Sequence, residues 1–165
     1  MIVVADASPL IFLGKIRRLS LLQELLTAEI LVPQAVYEEV LVPTVEPAEH
    51  RRLQAFLDEC ETQPVPQPAS YARAMSAADN AALSLALRRQ ADILLCDERL
   101  TRAMAEAEGI RPLGTLGILL WSSRLSILSP DKVHRLVDQL VQDHSFRISI
   151  EVYQAVIAEI NSQAS

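Results

Sequence analysis

Two apolar runs of this 165-residue chain end on an aspartate, and these two carboxylates are its first candidates for chemistry. The run 2–5 (IVVA) leads into Asp6, and the run 93–96 (ILLC) leads into Asp97. Short β-prone runs that stop at a polar residue are typical of buried strands. In a parallel α/β sheet, ligands bind at the carboxyl ends of the strands. We therefore expect Asp6 and Asp97 to meet in one crevice that suits a hard cation.

Further acids are expected near the starts of two helices. Asp79 stands three residues after Ser76, a spacing that resembles a capping box and gives this acid a structural interpretation as well. Glu38 and Glu39 flank the apolar stripe of a helix expected after Pro33, and helical geometry alone does not choose between them. The joint placement of two strand-end and two helix-start acids is the stronger argument for a site.

Each strand-end aspartate has a structural interpretation too. Asp6 is a polar stop after a strand or an N-cap, and Asp97 lies in the first turn of a helix, where the helix dipole favours an acid. Ser8, followed by Pro9, is expected to be the N-cap of the first helix, although its hydroxyl also suits a role in the site.

The composition predicts one cytoplasmic domain. Half of the residues are hydrophobic, and no apolar stretch approaches the roughly 20 residues of a membrane span. The first residues do not resemble a signal peptide, and Cys60 and Cys96 do not make a disulfide framework. A formal net charge of −6 argues against a general nucleic-acid coat protein. It does not exclude a nuclease, because bound divalent ions reverse the local field of a carboxylate cluster.

The pattern of strands and helices predicts an α/β fold with a mostly parallel sheet. Strands are expected at about residues 2–5, 30–32 and 93–96, with a short edge strand at Val65 inside a proline-rich stretch. After the first helix, further helices are expected at about residues 19–26, 33–41, 47–61, 76–90, 97–108, 114–123, 130–142 and 149–160. Residues 1–165 form a single domain in this interpretation, with a helical extension at about 124–165.

Four segments, in this order, resemble the PIN domain, a family of metal-dependent ribonucleases. They are 3–11 (VVADASPLI), 32–40 (VPQAVYEEV), 79–86 (DNAALSLA) and 91–99 (ADILLCDER). The segments 114–120 (GTLGILL) and 146–149 (FRIS) are similar to a prokaryotic branch of nucleic-acid-binding PIN-like proteins. The resemblance implies a PIN-like three-layer fold. It also favours Glu39 over Glu38, because the family's second acid usually precedes an aliphatic residue.

The resemblance implies metal-assisted hydrolysis of RNA phosphodiester bonds with Mg²⁺ or Mn²⁺. The implied catalytic and metal-binding residues are Asp6, Glu39, Asp79 and Asp97, and the substrate-binding candidates are Ser8, Arg99, Thr101 and Arg102. One departure concerns the third motif. The branch commonly has Gly-Glu-x-Glu where this chain has 78–81 (ADNA), which predicts weaker metal affinity or reduced activity.

The resemblance also implies partners, and two other functions compete with it. Many similar proteins are toxins of toxin–antitoxin modules held by a small antitoxin, and many pair as homodimers. The apolar residues of a C-terminal helix would suit such pairing or internal packing equally: Leu136, Val137, Leu140 and Val141. The alternative function is a non-catalytic PIN-like module that binds RNA or a protein. A haloacid-dehalogenase-type phosphatase is disfavoured, because Ser8 stands where that class needs a second aspartate.

Overall fold

A five-stranded parallel sheet organises the computed structural model, which describes residues 1–43 and 45–165. The strand order is β3-β2-β1-β4-β5, and every pairing is parallel. The strands are β1 (Ile2–Ala5), β2 (Glu29–Pro33), β3 (Glu61–Gln63), β4 (Ile93–Leu95) and β5 (Arg111–Leu113). The predicted α/β fold class is confirmed.

Nine helices of the described residues flank this sheet. They are α1 (Ala7–Lys15), α2 (Ser20–Leu25), α3 (Gln34–Val40), α4 (Pro47–Asp58), α5 (Ala77–Arg88), α6 (Arg99–Ala107), α7 (Thr115–Arg124), α8 (Pro130–Asp143) and α9 (Ile150–Gln163). Their positions follow the predicted ones to within a few residues at each end. In the parts of the chain that the structure describes, no helix is long and apolar enough to cross a membrane.

The register of β1 and β4 decides where the two strand-end aspartates emerge. Ala5 is paired with Leu95, and the Asp6 backbone N–H donates a hydrogen bond to the Leu95 carbonyl at 2.9 Å. Both strands are buried and apolar, as expected for central strands of a parallel sheet. The segments that follow β1 and β4 therefore leave the sheet side by side at the same edge.

The two edge strands were not predicted correctly. The prediction of a strand at Val65 is wrong, because the edge strand β3 follows α4 directly and pairs Glu61 with Leu31. Strand β5 was missed, because three residues around Pro112 carry no readable periodicity. Proline is tolerated here since β5 is an edge strand whose bonds to β4 use the Arg111 N–H and the Leu113 carbonyl.

The C-terminal helices pack on the body of the chain and on one another. Helices α7, α8 and α9 are mutually in contact, and α7 also contacts α1 and α2. Leu136, Val137 and Leu140 of α8 are buried within this packing. The apolar stripe of α8 that suited either a homodimer or internal packing is therefore mostly occupied inside the chain.

Candidate active site

All four predicted acids line one cleft at the carboxyl edge of the sheet. Asp6 and Asp97 follow β1 and β4, whereas Glu39 comes from α3 and Asp79 from the first turn of α5. The cleft has a volume of about 600 Å³. The parallel topology thus brings together side chains from four separate segments of the sequence.

Asp6 is the most buried of these acids, with a relative exposure of 2%. Its Oδ1 accepts a hydrogen bond from the Ala7 N–H at 2.8 Å, so Asp6 is the N-cap of α1. The expectation that Ser8 caps this helix is wrong, because α1 already begins at Ala7. The Ser8 hydroxyl is therefore free to serve the cleft instead.

Asp79 caps its helix and still reaches the cleft. Its N–H donates to the Ser76 hydroxyl at 3.0 Å, and its Oδ2 accepts from the Ser76 N–H at 3.1 Å, which completes a capping box. The Asp79 carboxyl group also lines the cleft beside Asp6, and it raises the pKa of that carboxyl group. The structural and the functional interpretation of Asp79 are therefore compatible.

Burial and neighbouring carboxyl groups disfavour the ionised forms of Asp6 and Glu39. Burial raises the pKa of Asp6 well above its ordinary value, and the hydrogen bond and charge of Asp79 raise it further. Partial desolvation at the lip of the cleft raises the pKa of Glu39, and the charge of Asp79 adds to that rise. A proton or a cation between these groups would relieve their repulsion.

Glu39 and its neighbour Glu38 occupy different environments. Glu39 lines the cleft, whereas Glu38 is absent from the cleft lining and accepts a hydrogen bond from the Gln34 amide at 3.1 Å. Because consecutive helical residues differ by about 100°, only one of the two points at the sheet edge. The packing of α3 makes that residue Glu39.

Asp97 is held by three hydrogen bonds from two other segments. The Ser8 hydroxyl donates to Oδ2 at 2.8 Å, and the Thr115 hydroxyl donates to the same oxygen at 2.7 Å. The Thr115 N–H, at the start of α7, donates to Oδ1 at 2.7 Å. Gly114 permits this approach, because a Cβ there would lie 2.8 Å from Oδ1. The sequence does not predict this role of Thr115. Its only sequence feature is the Gly-Thr pair at a helix start.

We expect Thr115→Val to lower the RNA cleavage that the resemblance to PIN domains implies, without unfolding the protein. The substitution removes the hydroxyl that orients Asp97 but keeps the backbone N–H, and loss of such an outer partner typically costs 10–100-fold in activity or metal affinity. Initial cleavage rates measured against Mn²⁺ concentration test this. Thr101→Val is the matched control, because the buried Thr101 hydroxyl has no hydrogen-bond partner in the described structure. Equal rates for the two variants would contradict the role of Thr115.

The predicted substrate-binding residues are distributed unequally. Arg99 and Arg102 line a second cavity that adjoins the cleft and shares Asp97 with it. Thr101 is fully buried on the inner face of α6, so the structure does not bring it to either cavity. Arg147 lines both cavities and was not singled out from the sequence. The only sequence feature that pointed to Arg147 is its place in the segment 146–149 (FRIS).

The cleft has the carboxylate groups that bind divalent cations, but these groups do not form a complete set of metal ligands. Within residues 1–43 and 45–165, no three carboxylate, imidazole or thiolate groups are placed to hold a metal ion together. Carboxylate oxygens are nevertheless the ligands that Mg²⁺ and Mn²⁺ prefer. Burial raises the pKa of the neighbouring Cys96 thiol to about 12, so sulfur does not compete with these oxygens. The donor set therefore fits such an ion.

Comparisons with known proteins agree with this architecture. A family model described as DUF3368, a PIN domain, matches residues 2–162. The solved structure of a PilT N-terminus domain protein from the hyperthermophilic archaeon Sulfolobus solfataricus is similar, with a TM-score of 0.56 and 12% sequence identity. The similarity covers 74% of this chain and 93% of that chain, and at this identity it shows a shared fold. No curated protein matches the sequence.

Proposed function

We propose that this chain, which belongs to the PIN-domain family, is a metal-dependent ribonuclease. PIN domains are in general nucleases and typically use divalent metal ions. The observation that carries the proposal is the cleft lined by four carboxyl groups from separate segments, in which Asp79 raises the pKa of the buried Asp6. A fold has little structural reason to bury Asp6 beside another acid, because burial and the neighbouring charge oppose ionisation of Asp6.

In this proposal, Asp6, Glu39, Asp79 and Asp97 hold Mg²⁺ or Mn²⁺. A bound ion would supply Lewis acidity toward the scissile phosphate and would activate water. The chain's own residues prepare the site. Ser8 and Thr115 fix the orientation of Asp97, and the capping box keeps the Asp79 carboxylate beside Asp6. Preorganised ligands of this kind need little rearrangement on binding.

Apolar side chains close one side of the cleft. Phe146 packs edge-on against Phe12, with ring centroids 4.8 Å apart, and both residues line the cleft. This wall joins α1 to the segment between α8 and α9. It limits access of water to the carboxylates and strengthens their interaction with a bound ion or phosphate.

The adjacent pair of glutamates provides the experiment that tests the proposal. We expect Glu39→Gln to slow Mn²⁺-dependent cleavage of single-stranded RNA roughly 10–100-fold, as for loss of one carboxylate at a metal site. Glu38→Gln makes the same chemical change one residue away, outside the cleft, and should cleave at the wild-type rate. Absence of Mn²⁺-dependent cleavage by the wild type, or equal effects of the two variants, would overturn the assignment.

The second candidate is a non-catalytic PIN-like module that binds RNA or a protein. One ground for it is the third motif, in which 78–81 (ADNA) retains one acid. The other is that, in the described residues, no three potential ligands are placed to hold a metal ion together. Calorimetric titration discriminates between the candidates. Absence of Mn²⁺ binding at millimolar concentration would support this module against the enzyme.

The partners and the cellular setting stay predictions. We retain as proposals a small antitoxin that holds the chain inactive, a second copy of the chain, and a cytoplasmic location. Size-exclusion chromatography with light scattering tests the homodimer.

A further inference from the structure

A second cavity adjoins the acidic cleft and differs from it in chemistry. Its volume is about 650 Å³, within the range of roughly 300–1,000 Å³ that is usual for ligand pockets. It shares Asp97, Phe146 and Arg147 with the cleft, so the two are continuous. Apolar side chains from β5, α7, α9 and the segment before α9 form most of its remaining lining: Pro112, Leu113, Leu116, Ile148, Val152 and Val156.

Positive charge surrounds this apolar floor. Arg99, Arg102 and Arg147 line the cavity beside one acid, Asp97, in a protein whose formal net charge is −6. In the described parts of the chain, none of these guanidinium groups lies within 4.0 Å of a carboxylate oxygen. Arg102 donates a hydrogen bond to the Cys96 carbonyl at 3.2 Å, which directs it toward the end of β4. The three arginines therefore lie in the same cavity as Asp97 but form no salt bridge with it.

The segment that carries Arg147 is anchored by its neighbour. Phe146 is buried against Phe12, and its N–H donates to the Leu140 carbonyl at 3.0 Å. Arg147 itself is exposed at the boundary between the two cavities. A guanidinium at this boundary faces the point where a polymer would pass from the cleft into the cavity.

We propose that the second cavity binds one unpaired nucleotide of the RNA strand next to the scissile phosphate. Arg147 contacts the phosphate between the two sites, and the base packs on the apolar floor. This inference rests on the proposed nuclease function. Guanidinium groups match phosphate geometry, and unstacked bases pack on aromatic side chains or guanidinium planes, both of which line this cavity. Val152 is an exposed apolar residue of this floor, with a relative exposure of 48%, and a base would cover it.

Binding of a fluorescent single-stranded RNA octamer, measured by anisotropy without divalent ions at low salt, tests the phosphate contact. We expect Arg147→Ala to weaken binding several-fold and to reduce the slope of log K against log salt by about 0.7, the value for one lost phosphate contact on a single strand. Arg135→Ala removes the same charge from the exposed face of α8 and should leave both quantities unchanged. Equal effects of the two variants would overturn the role of Arg147.

Abasic substitution along the octamer tests the base contact. We expect one abasic position to weaken binding of the wild type roughly five-fold or more, as expected for loss of one packed base. Val152→Asp places a charge on the exposed floor. In this variant, an abasic residue at the same position of the octamer should no longer weaken binding. Three results would each overturn the nucleotide assignment. They are equal binding of all abasic octamers, tighter binding of duplex than of single-stranded RNA, and displacement of the octamer from the wild-type protein by an acidic peptide. Intact RNA binding without cleavage would instead contradict the proposed nuclease function.

Discussion

Asp6→Asn is expected to abolish Mn²⁺-dependent RNA cleavage and, at the same time, to stabilise the metal-free protein. The loss of activity should be on the order of 100–1,000-fold, comparable with removal of one group that stabilises transition-state charge. The gain in stability follows because asparagine keeps the oxygen that accepts from the Ala7 N–H but removes a charge beside Asp79. A gain of about 1 kcal/mol would raise Tm by roughly 2–4 °C in a domain of this size.

Asp6→Ala separates the two roles of this residue. It removes the charge and the N-cap together, so we expect the same loss of cleavage but a stability lower than that of Asp6→Asn by about 0.5–2 kcal/mol. Cleavage rates and thermal unfolding of the three proteins, measured in parallel, give the comparison. Wild-type rates for Asp6→Asn would remove Asp6 from the proposed site, and a lower Tm for Asp6→Asn would contradict the repulsion between the carboxyl groups.

The stability of the metal-free protein is expected to depend on pH in the direction opposite to that of a salt-bridged carboxylate. The pKa of Asp6 and that of Glu39 are raised in the folded state, whereas the unfolded chain has ordinary values near 4. Below those values both states are protonated. Above them the unfolded chain loses protons first, so the free energy of unfolding falls until pH passes the folded-state pKa.

Comparison with Asp6→Asn isolates this contribution from other groups that titrate. The variant lacks the most buried of the acids, so its Tm advantage over the wild type should be small near pH 4 and should grow as pH rises. Thermal unfolding in EDTA between pH 4 and pH 8 provides the measurement. An advantage that stays constant over this range would show that the Asp6 carboxyl group is not the source of the instability.

Mn²⁺ should reverse the loss of stability, and the reversal should itself depend on pH. A cation and a proton compete for the same carboxylates, so stabilisation by Mn²⁺ should be weak near pH 4 and strong near pH 7.5. At a concentration about 100 times Kd, binding contributes about 2.7 kcal/mol. At roughly 2–4 °C per kcal/mol, that corresponds to a rise in Tm of roughly 5–10 °C. Equal stabilisation at both pH values would place the ion elsewhere, and NaCl at matched ionic strength controls for general screening.

Much of the fold could be predicted from local patterns. The strands β1 and β4 are apolar runs with a polar stop, and most helices begin at recognisable caps or prolines, such as Pro47 and Pro130. The edge strands β3 (ETQ) and β5 (RPL) escaped prediction because neither has the continuous apolar run that marks the equally short β4 (ILL). Their existence depends on the hydrogen bonds that a neighbouring strand leaves unpaired.

The sequence by itself determined the alternation of strands and helices, and with it the sheet edge at which Asp6 and Asp97 would emerge. Only the tertiary structure decided how the helix-borne groups are aimed. It placed Glu39 rather than Glu38 on the cleft and let Asp79 cap α5 while lining the cleft beside Asp6. It also brought the Thr115 hydroxyl to Asp97 across 18 residues and Ser8 to it across 89. The physical reason is that periodicity reports a residue's own element, whereas such contacts depend on how separate elements pack.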